Sequence, residues 1–535
     1  MFSSPKHTRK RTVLILIILA SLVILGSQLI ELQDRFVLTP NAFAWSTTEL
    51  GKETSASQQQ NTKPSKAEKY LTYLPYSRFS NQRSTLLNAA LLAKYLNRTL
   101  IVPPMFLGYA NGWSPAPGLY HVLENMTNPD YHNLCFDENG KEIVHEPIVP
   151  VQGEPPLFGC YNFTTYVIVP WSWATDLKHL TKTEDEGGLG INIIERSDMS
   201  LANLQKQLDL DDDDMFLMQD DTRYKWHIYD TEGQSPNPRY QHEVSLKELS
   251  AISHRLLHFY GIFGYDRITI DSPESEEYRL RIQQALIFRH EAIAKSSAII
   301  IDQLLNGMDM SEDDLVPLDP VQAQEVVEEK GTYVPPRFVA AHIRAGDGIF
   351  LAQLKDRIPE FVHQLWSIKT GNETTLDDLV GASNVKSANK KIPTHAALPL
   401  PIAAPDMRAS LAKLSIPLRL AECARLKEMV LYVATDAPSP RTNIQLQPVL
   451  NAFPCTFFMA DFSSEWRTTL TRLRSPLDPH KSLADQLVMF VDATVCAWAE
   501  RFVGTRTSTF SNYIKQFRHA IVDEIVEQQQ QRPLL

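Results

Sequence analysis

The chain has 535 residues, 43% of them hydrophobic, and its 52 Lys and Arg against 63 Asp and Glu give a formal net charge of −11. That length predicts two or three domains with sizeable cores. The acidic balance argues against a nucleic-acid partner, so any anionic ligand must be met by locally placed cations.

Lys6, His7, Arg9, Lys10 and Arg11 precede an uncharged run from Thr12 to Ile30. Such a run is close to the roughly 20 residues that span a bilayer. The basic flank predicts a type II signal anchor: 1–11 a cytosolic tail, 12–30 a transmembrane helix, and the remainder in the lumen of the endoplasmic reticulum or Golgi. A cleaved signal peptide is the competing reading, but Ala42-Phe43-Ala44 lies too far beyond the apolar run for normal processing. Residues 31–67 are polar and low in complexity and read as a disordered stem. Sequons at Asn97, Asn125, Asn162 and Asn372 agree with a lumenal chain, although Asn97 also suits a helix end. The five cysteines allow two disulfides, Cys135 with Cys160 being the first expected, and Cys496 reads as a buried apolar residue. With no CxxC pair, a zinc or redox site is not expected.

Folded sequence begins near Ala67. Tyr70–Leu74 reads as a strand, Asn81–Leu96 as a helix with an apolar side, and Leu100–Val102 as the next strand, closed by Pro103-Pro104. This is a βαβ unit, whose first loop, Arg78 to Gln82, lies at the carboxyl edge of a parallel sheet where ligands bind. Further on, a strand is expected at Tyr166–Val169 and helices at Leu246–Tyr260 and around Tyr278–Ile301. Residues 309–336 read as a linker. Strands at Phe338–Ile343 and Met429–Ala434, a helix at Leu483–Glu500, a strand at Phe502–Gly504 and a helix from Ser511 to Ala520 follow. Residues 370–405 look like a mobile insertion. The fold class expected is α/β, two Rossmann-like domains facing a cleft, 68–330 and 331–535.

Four constellations carry chemistry. The loop Arg78-Phe79-Ser80-Asn81-Gln82 offers a cation, amides and a helix start, a combination suited to an anion, though Asn81 equally serves as an N-cap. In His342-Ile343-Arg344-Ala345-Gly346-Asp347-Gly348, strand alternation puts His342 and Arg344 on one face. Arg344 can grip a diphosphate bidentately without losing its charge, or simply pair with Asp347. Thr505 to Phe510 leads a strand into a helix, gathering hydroxyls and free N–H groups at its start. Leu431–Asp436 is a strand that ends in two polar residues, and Asp436 either caps the next turn or lines the cleft. The DxD patterns of the run Asp209–Asp214 can hold a hard cation, but in a run of acids they arise by chance and read as a solvated loop.

Together these motifs resemble the GDP-fucose protein O-fucosyltransferases. The family's R-F-G-N-Q loop and N-R-T-L-x-V-P-P strand stand here as Arg78–Gln82 and Asn97–Pro104. Its H-L-R stands as His342-Ile343-Arg344, its V-Y-V-A-T-D as Leu431–Asp436, and its D-x-x-x-C-A…S-T-F as Asp492 to Phe510. The resemblance implies a GT-B fold with GDP-fucose in the cleft, touched by Arg78, Phe79, Ser80, Asn81, His342, Arg344, Asp492, Ser508, Thr509 and Phe510. It implies metal-independent, inverting transfer to a Ser/Thr hydroxyl of a lumenal protein, with Arg344 and Asn81 as the catalytic pair. A glycan acceptor, or a non-catalytic lumenal sugar-nucleotide-binding protein, is the alternative. Ser80 departs from the family's Gly. No Glu stands in the first loop, where some members place their base, so the base is unassigned.

Overall fold

In a computed structural model of the chain, the described residues are 68–108, 112–130, 135, 137, 165–230, 237–306, 338–346, 348–371 and 405–531. The expected tail, anchor and stem at 1–67, the linker, Asp347, Cys160 and nearly all of the 370–405 insertion lie outside them. Among the described residues no helix is long and apolar enough to cross a membrane.

The first half supplies strands Tyr70–Tyr73 (β1), Thr99–Val102 (β2), Met105–Gly108 (β3), Tyr166–Val169 (β4), Ile193–Glu195 (β5) and Met215–Met218 (β6), then Trp226–Tyr229 (β7), His242–Ser245 (β8), Leu256–Phe259 (β9) and Ile268–Thr269 (β10). Five form a parallel sheet in the order β5-β2-β1-β9-β6. Small side sheets, β10-β7-β8 and β3-β4, flank it. Its helices of six residues or more are Phe79–Leu96 (α1), Gly118–Thr127 (α2), Leu201–Leu208 (α3), Leu246–Ala251 (α4), Pro273–Ala285 (α5) and Glu291–Asn306 (α6). The second half holds Val339–Ile343 (β11), Gly348–Thr370 (α7), Leu431–Thr435 (β12), Thr456–Phe457 (β13), Val488–Trp498 (α8), Arg501–Gly504 (β14) and Thr509–Gln531 (α9). Its four strands are all parallel, in the order β13-β12-β11-β14. Mixed α/β architecture with two larger parallel sheets is therefore observed. Both sheets belong to one compact unit, Gln60–Leu535.

Central strands are buried on both faces, so they read as short apolar runs that periodicity cannot tell from helix. The expected helix at Leu246–Tyr260 shows this. Ser245 and Glu248 close a capping box that starts α4, the chain turns extended at Ile252, and Leu256–Phe259 is the fully buried strand β9. The expected helix at Tyr278–Ile301 is likewise two helices, α5 and α6. Leu286, Ile287 and Phe288, between them, are buried. Helix α8 starts at Val488 rather than Leu483. Asn97 does close a helix end, in the left-handed conformation with φ 48°. One disulfide joins Cys423 and Cys455. Cys135 is also disulfide-bonded, and Cys496 is free and buried.

Aromatic packing docks the two halves. Phe79, 1% exposed, has ring centroids of Phe490 at 4.7 Å, Tyr513 at 5.2 Å, Phe288 at 5.9 Å and Trp171 at 6.0 Å. One turn on, the buried Arg83 donates to the Leu286 and Gln283 carbonyls and to the Gln516 side chain. Phe79 meets Tyr513 and Arg83 meets Gln516, so α1 and α9 lie side by side and run the same way.

Candidate active site

The parallel run of α1 and α9 has a direct electrostatic result: their N-termini lie at the same end. Unpaired N–H groups and the positive ends of two helix dipoles gather there, which favours an anion. Arg78, exposed, occupies the cap position of α1 with φ −88° and ψ 172°. Ser508, buried, caps α9 through its Oγ, which accepts from the Ser511 N–H at 3.3 Å.

The loop after β11 reaches the same end. Ser511 Oγ lies 2.7 Å from His342 Nδ1, and the Arg344 N–H donates to Thr505 Oγ1 at 2.8 Å. Thr505 in turn donates its N–H and its hydroxyl to the His342 carbonyl. These bonds hold Arg344 beside the start of α9. Its guanidinium pairs with Asp436 at 2.8 Å. Asp436 also accepts the N–H groups of Ala345 at 2.6 Å and Gly346 at 2.9 Å. It therefore braces the turn after β11, whereas the turn after its own strand β12 is held by Thr435, whose Oγ1 accepts the Ala437 N–H at 3.2 Å. Gly346 is required here: a Cβ on it would stand 2.6 Å from Asp436 Oδ2.

The expected contact residues divide into two groups. Arg78, Asn81, Arg344, Ser508, Thr509 and Phe510 belong to the converging ends. Asn81 donates to Ser77 Oγ at 2.7 Å, while its Oδ1 is buried without a partner. Gln82 bridges α1 to β3, donating to the Ser77 and Phe106 carbonyls and accepting the Phe106 N–H. Ser80 is 7% exposed.

The other group is enclosed. Phe79 is a docking wedge in the aromatic cluster. His342 is 4% exposed and lies edge-on to Phe510 at 5.2 Å. Burial holds its pKa down near 4, with Arg344 acting in the same direction and Asp436 against it. It is therefore neutral at physiological pH. Asp492 accepts from the Tyr432 hydroxyl at 2.5 Å. Tyr432 is level with Ala340, two residues before His342, so Asp492 sits below the carboxyl edge. Burial raises its pKa to about 7, the Tyr432 hydroxyl opposing this.

Two contributors escaped the sequence reading. Ser77 holds Asn81 from a positive φ of 67°, and nothing in its neighbourhood announces that. Thr505 stands within the late motif, but its role in holding Arg344 appears only when β14 lies beside β11. The acidic run is occupied locally. Asp209 ends α3, Asp211 and Asp214 cap a short turn, and Asp214 pairs with Arg255 at 3.3 Å. Among the described residues no cluster of three His, Cys, Asp or Glu side chains suits a metal.

No protein-family model matches the chain. A stretch of 50 residues is 48% identical to O-fucosyltransferase 30 of Arabidopsis thaliana, taking in 9% of this chain and 10% of that relative's length. Solved structures of POFUT1 align over 85% of the chain at 12% identity. They include a complex with GDP, of which 95% is covered with a TM-score of 0.32, and a complex with GDP-fucose, of which 95% is covered with a TM-score of 0.31.

Proposed function

We propose that the chain is a fucosyltransferase that takes GDP-fucose as donor and transfers fucose to a Ser/Thr hydroxyl of a lumenal protein. The observation that carries this reading is the convergence of two helix N-termini with Arg344 and Arg78 at one end of the α1–α9 pair. The 50-residue match to an O-fucosyltransferase supports it independently.

A departing nucleoside diphosphate needs positive charge and oriented N–H donors, and preorganised groups of this kind are often the largest catalytic term. Arg344 meets the diphosphate, moving part of its charge from Asp436 to the ligand. The starts of α1 and α9 supply N–H donors, and Arg78 adds a second cation at the rim. Asn81, with its unpartnered Oδ1, orients a hydroxyl at the same place. The C1–O bond to the diphosphate lengthens before the acceptor oxygen arrives from the opposite face, which inverts the anomeric centre. The donor site needs no metal in this scheme. The uncharged run at 12–30 anchors the chain with its catalytic part in the endoplasmic reticulum or Golgi lumen.

The test uses the full-length chain in detergent. GDP binding is measured by calorimetry and GDP release from GDP-fucose by a coupled assay, for the wild type and Arg344→Ala. Binding and turnover that both collapse in the variant support the reading. A wild type that binds neither GDP nor GDP-fucose ends it.

A further inference from the structure

A second polar cluster lies at the carboxyl edge of the first sheet, and it is built around an acid with no partner. Asp220 follows β6 and is 1% exposed, yet neither carboxyl oxygen has a hydrogen-bond partner. Buried polar groups almost always have one. Partly buried acids elsewhere have partners: Asp492, Asp461 and Asp266 are each bonded. The groups around Asp220 are unsatisfied too. The Tyr76 hydroxyl and the indole N–H groups of Trp113 and Trp226 are buried without partners.

Gly261 is the centre of the cluster. A Cβ placed there would lie 3.4 Å from Asp220 Oδ2, 3.4 Å from the Tyr76 ring and 3.9 Å from Trp113 Nε1. The loop bearing Trp113 is tied over the acid, since the Ala116 N–H donates to the Asp220 carbonyl at 3.1 Å. Tyr76 immediately precedes the Ser77–Asn81 segment of the candidate active site. Trp226, half-buried, also lines a cavity of about 470 Å³, so one residue borders both the acid and open space.

We propose that Asp220 is the base of the transfer reaction, taking the proton of the attacking hydroxyl as that hydroxyl enters between Tyr76 and Trp113. This rests on the glycosyl-transfer reading above. In the step, the acceptor O–H bond breaks and its proton passes to the Asp220 carboxylate. The acceptor oxygen forms the bond to fucose C1, and the C1–O bond to the diphosphate breaks, its electron pair leaving with GDP. Asp220 then returns the proton to water.

Its surroundings suit a base that works near neutrality. Burial raises the pKa of Asp220 to about 7; the charges of Arg267 and Lys225 pull it down, and Asp221 pushes it up. The phenols of Tyr76 and Tyr260 also face it and stay neutral in this range, their own pKa values being raised by burial. A base poised near the working pH is the most effective kind.

The experiment needs no identified acceptor, because water is itself an attacking hydroxyl. GDP release from GDP-fucose is followed from pH 5.5 to 8.5 for the full-length wild type and Asp220→Asn, with GDP affinity measured alongside. The wild-type rate should climb about tenfold through pH 7. Asp220→Asn should lose about a hundredfold and lose the climb, while GDP affinity is kept. A wild-type rate that is flat with pH overturns the assignment even if the variant does not fold. A variant within threefold of the wild type overturns it as well, as does GDP binding with no release at pH 8.5. Absence of both binding and release is a different failure, which removes the fucosyl-transfer reading itself.

Discussion

The first turn of α1, Arg78–Gln82, and the Arg344–Gly346 loop face the same end of the α1–α9 pair, but they are built on opposite principles. The first is largely committed to packing. Phe79 is a wedge between the halves, Gln82 ties α1 to β3, and Arg83 behind them is enclosed by carbonyls. The second is committed to charge: Arg344, Asp436 and two backbone N–H groups share one small network. The same kind of motif can thus be mostly scaffold in one place and mostly electrostatics in another. Only the pattern of burial separates them.

Substitutions break this contrast in order of size. Phe79→Ala removes a ring packed by four others and should cost about 3–5 kcal/mol of stability by chemical denaturation, with donor affinity intact in whatever fraction stays folded. Arg344→Ala should do the reverse. It should lower GDP-fucose turnover by about 10²–10³ with little change in melting temperature, checked by steady-state kinetics. If the two variants showed the same phenotype, the division between scaffold and charge would be wrong.

Smaller effects sharpen the contrast. Asp492 has a native pKa near 7 against 3.8 unfolded, so the folded chain keeps a proton that the unfolded chain releases between those values. Its contribution to stability therefore falls as pH rises from about 4 to about 7 and is level above. Asp492→Asn, which can still accept from Tyr432, should gain on the wild type through that window by about 1–3 kcal/mol, read from urea unfolding at pH 5 and pH 8. Gly346→Ala places a methyl against Asp436 and should weaken GDP binding by about tenfold by calorimetry, at a cost of roughly 1–2 kcal/mol in stability. Asp212→Ala, in the exposed acidic turn, should change stability by less than about 0.5 kcal/mol. Chelation of divalent cations should leave turnover unchanged in that variant and in the wild type.

Much of this was legible in the sequence because local rules and tertiary demands agree. The β1–α1–β2 unit has an apolar helix face between short strands and a proline stop, and it forms, although α1 starts at Phe79 and not Asn81, so that Arg78 takes the cap position and Asn81 lies within the first turn. Arg344 and Ser508 are placed by strand ends and helix starts, which sequence marks well. Leu256–Phe259 was not legible as a strand, because a strand buried on both faces shows no alternation. Phe79 carried no mark of its docking role either, since the rings that enclose it come from residues 171, 288, 490 and 513. Arg344 pairs with Asp436, 92 positions away, and that pairing depends on β12 lying against β11, while Asp347 lies outside the described residues.

The side-by-side course of α1 and α9 also sets how a guest can come and go. Swinging the halves apart would pull Phe79 out of its ring cluster and strand the Arg83 guanidinium in an apolar gap. A jaw sealed at its root in this way keeps a constant aperture. On the proposed function, exchange of nucleotide and product falls to the rim, to Arg78 and the turn held by Asp436, and the pace of release should respond to substitutions there and ignore changes at the root.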